Sequence, residues 1–233
     1  MRLREFLTEQ PPGGGGGAIG AALGQFAGKA ANYPMMYAEL YKQYREERLK
    51  RQKEKSQQET PKEKAAKEKL QDIASKKLET STVSKSRDID EKIRKSETAW
   101  LKASEDPVVD KLIRKCVSTT DRPFVNCEDL QILRYKPGGF YKPHQDTFCE
   151  DKNRRMYTFI IALNDEYEGG ETVFPNIKKQ YRLEKGDALF FNTLNNYECM
   201  TTKAIHGGAP VKSGEKWVCN LWVHKYEYTG PKK

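Results

Sequence analysis

At 233 residues the chain can hold one good-sized domain with an appendage, and a mean hydropathy of −0.87 with 32% charged residues is too polar for a single compact unit of that length. A net charge of +9 raises nucleic acid or an acidic membrane surface as partners, but Glu is interleaved with Lys and Arg throughout residues 42–79, which reads as a solvated helix face. No run of about 18–20 apolar residues occurs, so no membrane span is expected.

In chain order, residues 1–10 read as a short helical turn, and Pro11, Pro12 and the glycines 13–17 break regular structure and read as a flexible linker. The opening Met1-Arg2-Leu3-Arg4 and the Gly/Ala tract mimic a signal peptide, but the prolines and glycines interrupt its apolar core, so an intracellular, cytoplasmic setting is expected. Residues 18–31 are a low-complexity arm. Tyr37, Leu40, Tyr41 and Tyr44 recur at helical spacing, predicting an amphipathic helix that runs out into a charged spacer. Residues 18–50 are a candidate docking segment for a partner, and a nucleic-acid role for the basic arm stays open. The five cysteines show no CxxC spacing, which suggests neither a zinc site nor a thioredoxin-like motif and fits reduced thiols.

Pro61 suits the first turn of a helix with Thr60 as its N-cap, and Leu70, Ile73, Ala74 and Leu78 fall on one face. A second helix is predicted over Pro107–Cys116, with Asp106 before a proline at the first position and Val108, Val109, Leu112 and Ile113 as its apolar stripe. After Asn126 the period changes to two. Strands are predicted at Leu130–Tyr135, Met156–Leu163, Thr172–Phe174, Gln180–Leu183, Ala188–Asn192, Thr201–Ile205 and Lys216–His224, separated by glycine turns. Many short strands of this kind argue for a sandwich or barrel, faced by one or two helices.

The chemistry concentrates on His144-x-Asp146 and His206. Two residues apart on an extended segment, His144 and Asp146 present both side chains to one face, so one strand end can offer an imidazole and a carboxylate to the same ion. Two histidines and one carboxylate are the facial triad of non-haem Fe(II), which leaves coordination positions open. Lys216 follows His206 across what reads as a hairpin over residues 210–215. On its strand Lys216, Val218, Asn220 and Trp222 share one face, which would place a cation and an aromatic inside the barrel to meet a small carboxylate. The alternative, an outward Lys216 beside a core Trp222, stays open from spacing alone.

The segments 130–146 (LQILRYKPGGFYKPHQD) and 206–217 (HGGAPVKSGEKW), together with Gly169-Gly170-Glu171-Thr172 and residues 185–191 (KGDALFF), resemble the prolyl 4-hydroxylase alpha-subunit catalytic domain. That family lies within the Fe(II)/2-oxoglutarate dioxygenases, and the similarity covers roughly residues 62–228. It implies a double-stranded β-helix (jelly-roll) core over 60–229, mainly β with flanking helices, preceded by a flexible, partly helical arm over 1–59. It also implies Fe(II) on His144, Asp146 and His206, and 2-oxoglutarate held at its distal carboxylate by Lys216 with Tyr135 and Thr172. Trp222 would lie near the active site, on the cofactor or substrate side. O₂ would be co-substrate and ascorbate a reductant, with a peptide or protein as partner.

Tyr135 has the ordinary alternative of a barrel-filling aromatic, and Thr172 that of a plain strand residue. His224 matches no iron position and reads as a surface or strand-end residue. The resemblance implies hydroxylation of peptidyl proline with decarboxylation of 2-oxoglutarate to succinate. Alternatives are hydroxylation of another protein side chain or a free amino acid, or a non-catalytic assembly component carrying this fold. Arg48–Thr60 departs from the family pattern, being charged where an apolar strand usually opens the domain.

Overall fold

The computed structural model describes residues 61–83 and 88–230. The expectations for the Gly-rich arm, the docking segment 18–50, the amphipathic helix and Thr60 as a cap all lie outside the described residues.

Helix α1 spans Pro61–Ser75 and buries Leu70 and Ala74, while Leu78 packs from just beyond its end. Helix α2, Pro107–Val117, starts where expected. The Asp106 side chain accepts from the Val108 amide at 2.9 Å, and Pro107 supplies a preset φ at a position whose N–H no helix needs. Its buried stripe of Val109, Leu112, Ile113, Cys116 and Val117 faces a sheet. Each such side chain contributes roughly 1.5–3 kcal/mol on leaving water.

The strands are β1 (Glu79–Thr80), β2 (Arg94–Lys95), β3 (Glu97–Leu101), β4 (Leu130–Tyr135), β5 (Phe140–His144), β6 (Arg155–Ala162), β7 (Tyr167–Gly169), β8 (Thr172–Phe174), β9 (Lys179–Tyr181), β10 (Ala188–Asn192), β11 (His206–Gly208), β12 (Val211–Gly214) and β13 (Lys216–His224). They form a major sheet ordered β1-β3-β4-β13-β6-β10 and a minor sheet ordered β2-β5-β11-β8-β9, with β7 and β12 paired separately. From β4 onward the chain crosses repeatedly between the two sheets, every ladder is antiparallel, and the result is a jelly roll.

Strand β13 is central to the major sheet and buried on both faces. On its outer side Cys219, Leu221 and Val223 join Leu101, Ile132, Phe159 and Ile161 in a core closed by α1 and α2. On its inner side Val218 joins Leu133, Tyr135, Ile160, Leu189 and Phe191 in a second core that faces Phe174 of the minor sheet. Alternation along one strand thus feeds two cores.

Two local expectations differ from the structure. Thr201–Ile205 is not a strand: residues Thr202–Ala204 form a 3-10 turn in which the Lys203 amide donates to the Thr201 hydroxyl. The β-favouring residues there are overruled by Thr201, whose hydroxyl offers a local cap. The segment 210–215 is not a hairpin between His206 and Lys216 either, because β12 pairs with β7 instead of with its sequence neighbours. His206 and Lys216 therefore belong to opposite sheets.

Candidate active site

Strands β5 and β11 pair antiparallel with His144 directly opposite His206. The two rings lie 4.5 Å apart, and Asp146 follows β5 into the same space. Nε2 of His144 is 3.4 Å from Asp146 Oδ1, and Nε2 of His206 is 3.7 Å from Oδ2. One donor atom from each residue lies within 4.8 Å of the others. Each imidazole is oriented by its other nitrogen: His144 Nδ1 meets the Lys142 carbonyl at 2.9 Å, and His206 Nδ1 meets that of Ala204 at 3.1 Å. This arrangement turns both Nε2 atoms toward the carboxylate and is the usual way a protein presents histidine to a metal.

Neighbouring side chains hold the triad rigid. Tyr141 stacks on His144 at 3.7 Å between centroids, and Phe191 and Phe174 pack on His206. Thr158 Oγ1 donates to Asp146 Oδ2 at 2.7 Å, and Arg155 donates to the Asp146 carbonyl at 3.1 Å. Burial would raise the Asp146 carboxyl. The charge of His206, the hydrogen bond and charge of His144, and the charge of Arg155 overcome that and hold it well below the usual carboxylate range. Burial depresses His206, with Asp146 opposing. The site therefore offers an ionised carboxylate and two oriented imidazoles.

Lys216 opens β13 on the inner face, opposite Tyr135 in register. It is 5% exposed and donates to the Gly170 carbonyl at 2.7 Å, with its ammonium 5.4 Å from the Tyr135 ring. The alternative of an outward lysine is excluded. Burial, then the charge of Arg182, pushes its pKa down to about 8. The charge of Glu171 opposes Arg182 there, and a buried ammonium is costly unless it meets an anion. Thr172 is buried on the inner face of β8, opposite Gly208 and one strand from His206. The donor set and the buried cation together fit Fe(II) and a dicarboxylate.

A match to the family model of the 2OG-Fe(II) oxygenase superfamily covers residues 130–224, the strands that carry all of these groups. The solved structure of the viral collagen prolyl hydroxylase vCPH from Paramecium Bursaria Chlorella virus-1, in a 2OG complex, is 31% identical with a TM-score of 0.57, over 70% of this chain and 91% of that one. The chain belongs to the 2OG-Fe(II) oxygenase superfamily. Among curated relatives, prolyl 4-hydroxylase subunit alpha-2 of Caenorhabditis elegans is 34% identical over 70% of this chain and 33% of its own length. Prolyl 4-hydroxylase 5 of Arabidopsis thaliana is 30% identical over 60% and 56%. The chain thus spans about a third and just over half of the length of these two curated relatives.

The structure separates two residues that alternation alone placed together. Lys216 and Trp222 share the inner face of β13, but six residues of strand set them about 20 Å apart. Trp222 lies opposite Thr158, under the Arg155 guanidinium at 3.9 Å, so it belongs to the Asp146 end of the cleft. His224 ends β13 but is not a surface residue. It is 8% exposed, with Nε2 2.7 Å from Glu128 Oε1 and Nδ1 2.9 Å from the Asn153 carbonyl. Arg155 Nη2 also donates to Glu128 Oε2 at 3.0 Å. Burial would raise the Glu128 carboxyl, but the charge of Arg155 and the bond to His224 hold it below its ordinary value.

Sequence reasoning missed Thr158, Arg155, Tyr141, Glu128 and Gly170. Thr158 had a faint signal, a threonine leading into an apolar run; Tyr141 and Gly170 stood inside the quoted motifs without a role of their own, Tyr141 three positions from His144. Arg155 and Glu128 had no signal, because their partners lie 9 to 96 positions away.

Proposed function

We propose that this chain is an Fe(II)- and 2-oxoglutarate-dependent dioxygenase that hydroxylates proline in peptides, with its catalytic domain over 60–229. The observation that carries the reading is the cross-strand pair His144 and His206, both Nε2 atoms turned onto the Asp146 carboxylate. His144, Asp146 and His206 would hold the metal. Lys216 would pair with the distal carboxylate of 2-oxoglutarate, with Tyr135 and Thr172 lining that end of the cleft. When bound, iron and co-substrate would supply oxygen activation, in which one atom of O₂ would enter a substrate C–H bond as hydroxyl and the other would leave in succinate beside CO₂.

The chain's own residues orient and insulate. Thr158 fixes one oxygen of Asp146, Tyr141 and Phe191 fix the two imidazoles, and the apolar inner core keeps bulk water from the buried ammonium. Trp222 and Arg155 would border the substrate side. Relatives and a solved neighbour named for prolyl hydroxylation support proline as the target. The five free cysteines suit an intracellular setting. Among the described residues no helix is long and apolar enough to cross a membrane.

The test is incubation of the purified chain with Fe(II), 2-oxoglutarate, ascorbate and proline-containing peptides. Succinate release and a peptide mass gain of one oxygen atom are expected, and both should vanish in His144→Ala. Iron binding without any peptide product would overturn proline as the target, and absence of iron binding would overturn the enzyme reading.

A further inference from the structure

Lys216 is the first residue of β13, yet its ammonium is buried and aimed at one carbonyl. On one side its backbone pairs with Tyr135 of β4. On the other side the β6 ladder ends with Ala162 opposite Val218, followed by a last bond from the Leu163 amide to the Trp217 carbonyl at 2.9 Å. There the Asn164 side chain takes over from the strand. Its Nδ2 donates to the Glu215 carbonyl at 2.8 Å, and its Oδ1 accepts from the Trp217 amide at 2.8 Å. A carboxamide carries the donor and the acceptor of a peptide unit, so it continues the ladder past Lys216 while the backbone turns away. Further along the same connection, the Gly170 carbonyl accepts from Lys216 Nζ at 2.7 Å. Arg182 fastens the stretch between by donating to the carbonyls of Asp165 and Tyr167. Residues 164–170 therefore grip one lysine at both ends, its flanking backbone through Asn164 and its ammonium through Gly170.

We propose that Asn164 is a positioning residue for the dicarboxylate co-substrate, fixing where Lys216 presents its ammonium to the distal carboxylate. This rests on the role given to Lys216 above. Asn164 borders a hollow with Lys67 and Gln71 of α1, and Trp217 beside it packs in the outer core, so it stands on the far side of the sheet from the cleft. It acts only through the backbone it holds on either side of Lys216. A long, flexible side chain anchored on a loose strand end would spread its charge over many positions, and affinity for a fixed carboxylate falls with that spread. Two bonds from one half-buried amide remove that freedom at its root.

The experiment titrates 2-oxoglutarate, and separately oxalate, onto the full chain loaded with Fe(II) in the absence of O₂, and reads the heat of binding. Oxalate can chelate a metal but has no distal carboxylate for Lys216. Asn164→Ala is expected to weaken 2-oxoglutarate about five- to tenfold, the worth of one or two hydrogen bonds, and to leave oxalate unchanged. Asn164→Asp keeps the size and the acceptor for the Trp217 amide, so it should recover part of the loss, and it carries the same comparison if the alanine variant folds poorly. Unaltered 2-oxoglutarate affinity in these variants would overturn the inference. An equal loss for oxalate would overturn it too, since Asn164 would then only support the fold. Lys216→Ala binding 2-oxoglutarate as tightly as the unaltered chain would remove the reading beneath, whereas a weakened Lys216→Ala beside indifferent Asn164 variants removes this inference alone.

Discussion

Asp146 is held from two directions, by Thr158 on its carboxylate and by Arg155 on its carbonyl, so its geometry is set before any metal arrives. Thr158→Val keeps shape and removes the donor. Such supporting bonds are worth about 10- to 100-fold in metal affinity, so Fe(II) titration of the variant should show a loss in that range; an unaltered dissociation constant would show that Thr158 is only filler. Lys216 sets a pH limit. Its folded pKa of about 8 lies below the 10.5 of a free lysine, so the ammonium is present below pH 8 and is lost as pH rises through that value. Affinity for 2-oxoglutarate should weaken by about tenfold per pH unit above that limit, read from binding titrations on the metal-loaded protein. The same shift has the opposite sign for stability. The cost of the buried charge is fully present below about pH 8 and is relieved as pH rises from there toward 10.5.

At the scale of elements, the metal site exists because β11 lies close against β5. Gly207 permits that approach: a Cβ there would sit 2.7 Å from the Tyr141 carbonyl oxygen and 2.9 Å from the Pro143 nitrogen, both rigid backbone atoms. Gly207→Ala must push the two strands apart, at a cost of roughly 1–3 kcal/mol, and it moves His206 away from His144 as it does so. Both the melting temperature and Fe(II) affinity should fall in this variant. Intact metal affinity would mean that the strain is absorbed elsewhere.

For the whole molecule, the major sheet separates two cores with different duties. The outer one joins α1 and α2 to the sheet and contains none of the candidate site residues; the inner one surrounds the cleft. Ile113→Ala in α2 opens the outer core and should cost about 2–5 kcal/mol, lowering the melting temperature while leaving the KM for 2-oxoglutarate unchanged. Metal on the triad would tie β5 to β11 within the minor sheet. At 100 times its dissociation constant it should stabilise the fold by about 2.7 kcal/mol, and chelation should reverse that in a thermal melt.

Residue type and short-range spacing settled a good deal by themselves. The His144-x-Asp146 and His206 motif was readable, as were β4, β8, β10 and β13 to the residue and the start of α2 at its Asp106 cap. Apart from His206, which stands far from His144 and Asp146 in sequence, these features depend on neighbours within a few positions, where alternation, proline and a capping carboxylate act locally. Strands β5 and β11 were not legible, because Phe140–His144 contains a proline, His206–Gly208 is three residues with two glycines, and both are held by pairing with each other and with β2 and β8. Tertiary structure alone decided that Lys216 points inward, that Trp222 stands at the Asp146 end, and that His224 is buried against Glu128. Each of those outcomes depends on which sheet a strand joins and on partners far away in sequence. Pairing across the jelly roll makes that choice, and local periodicity carries no information about it.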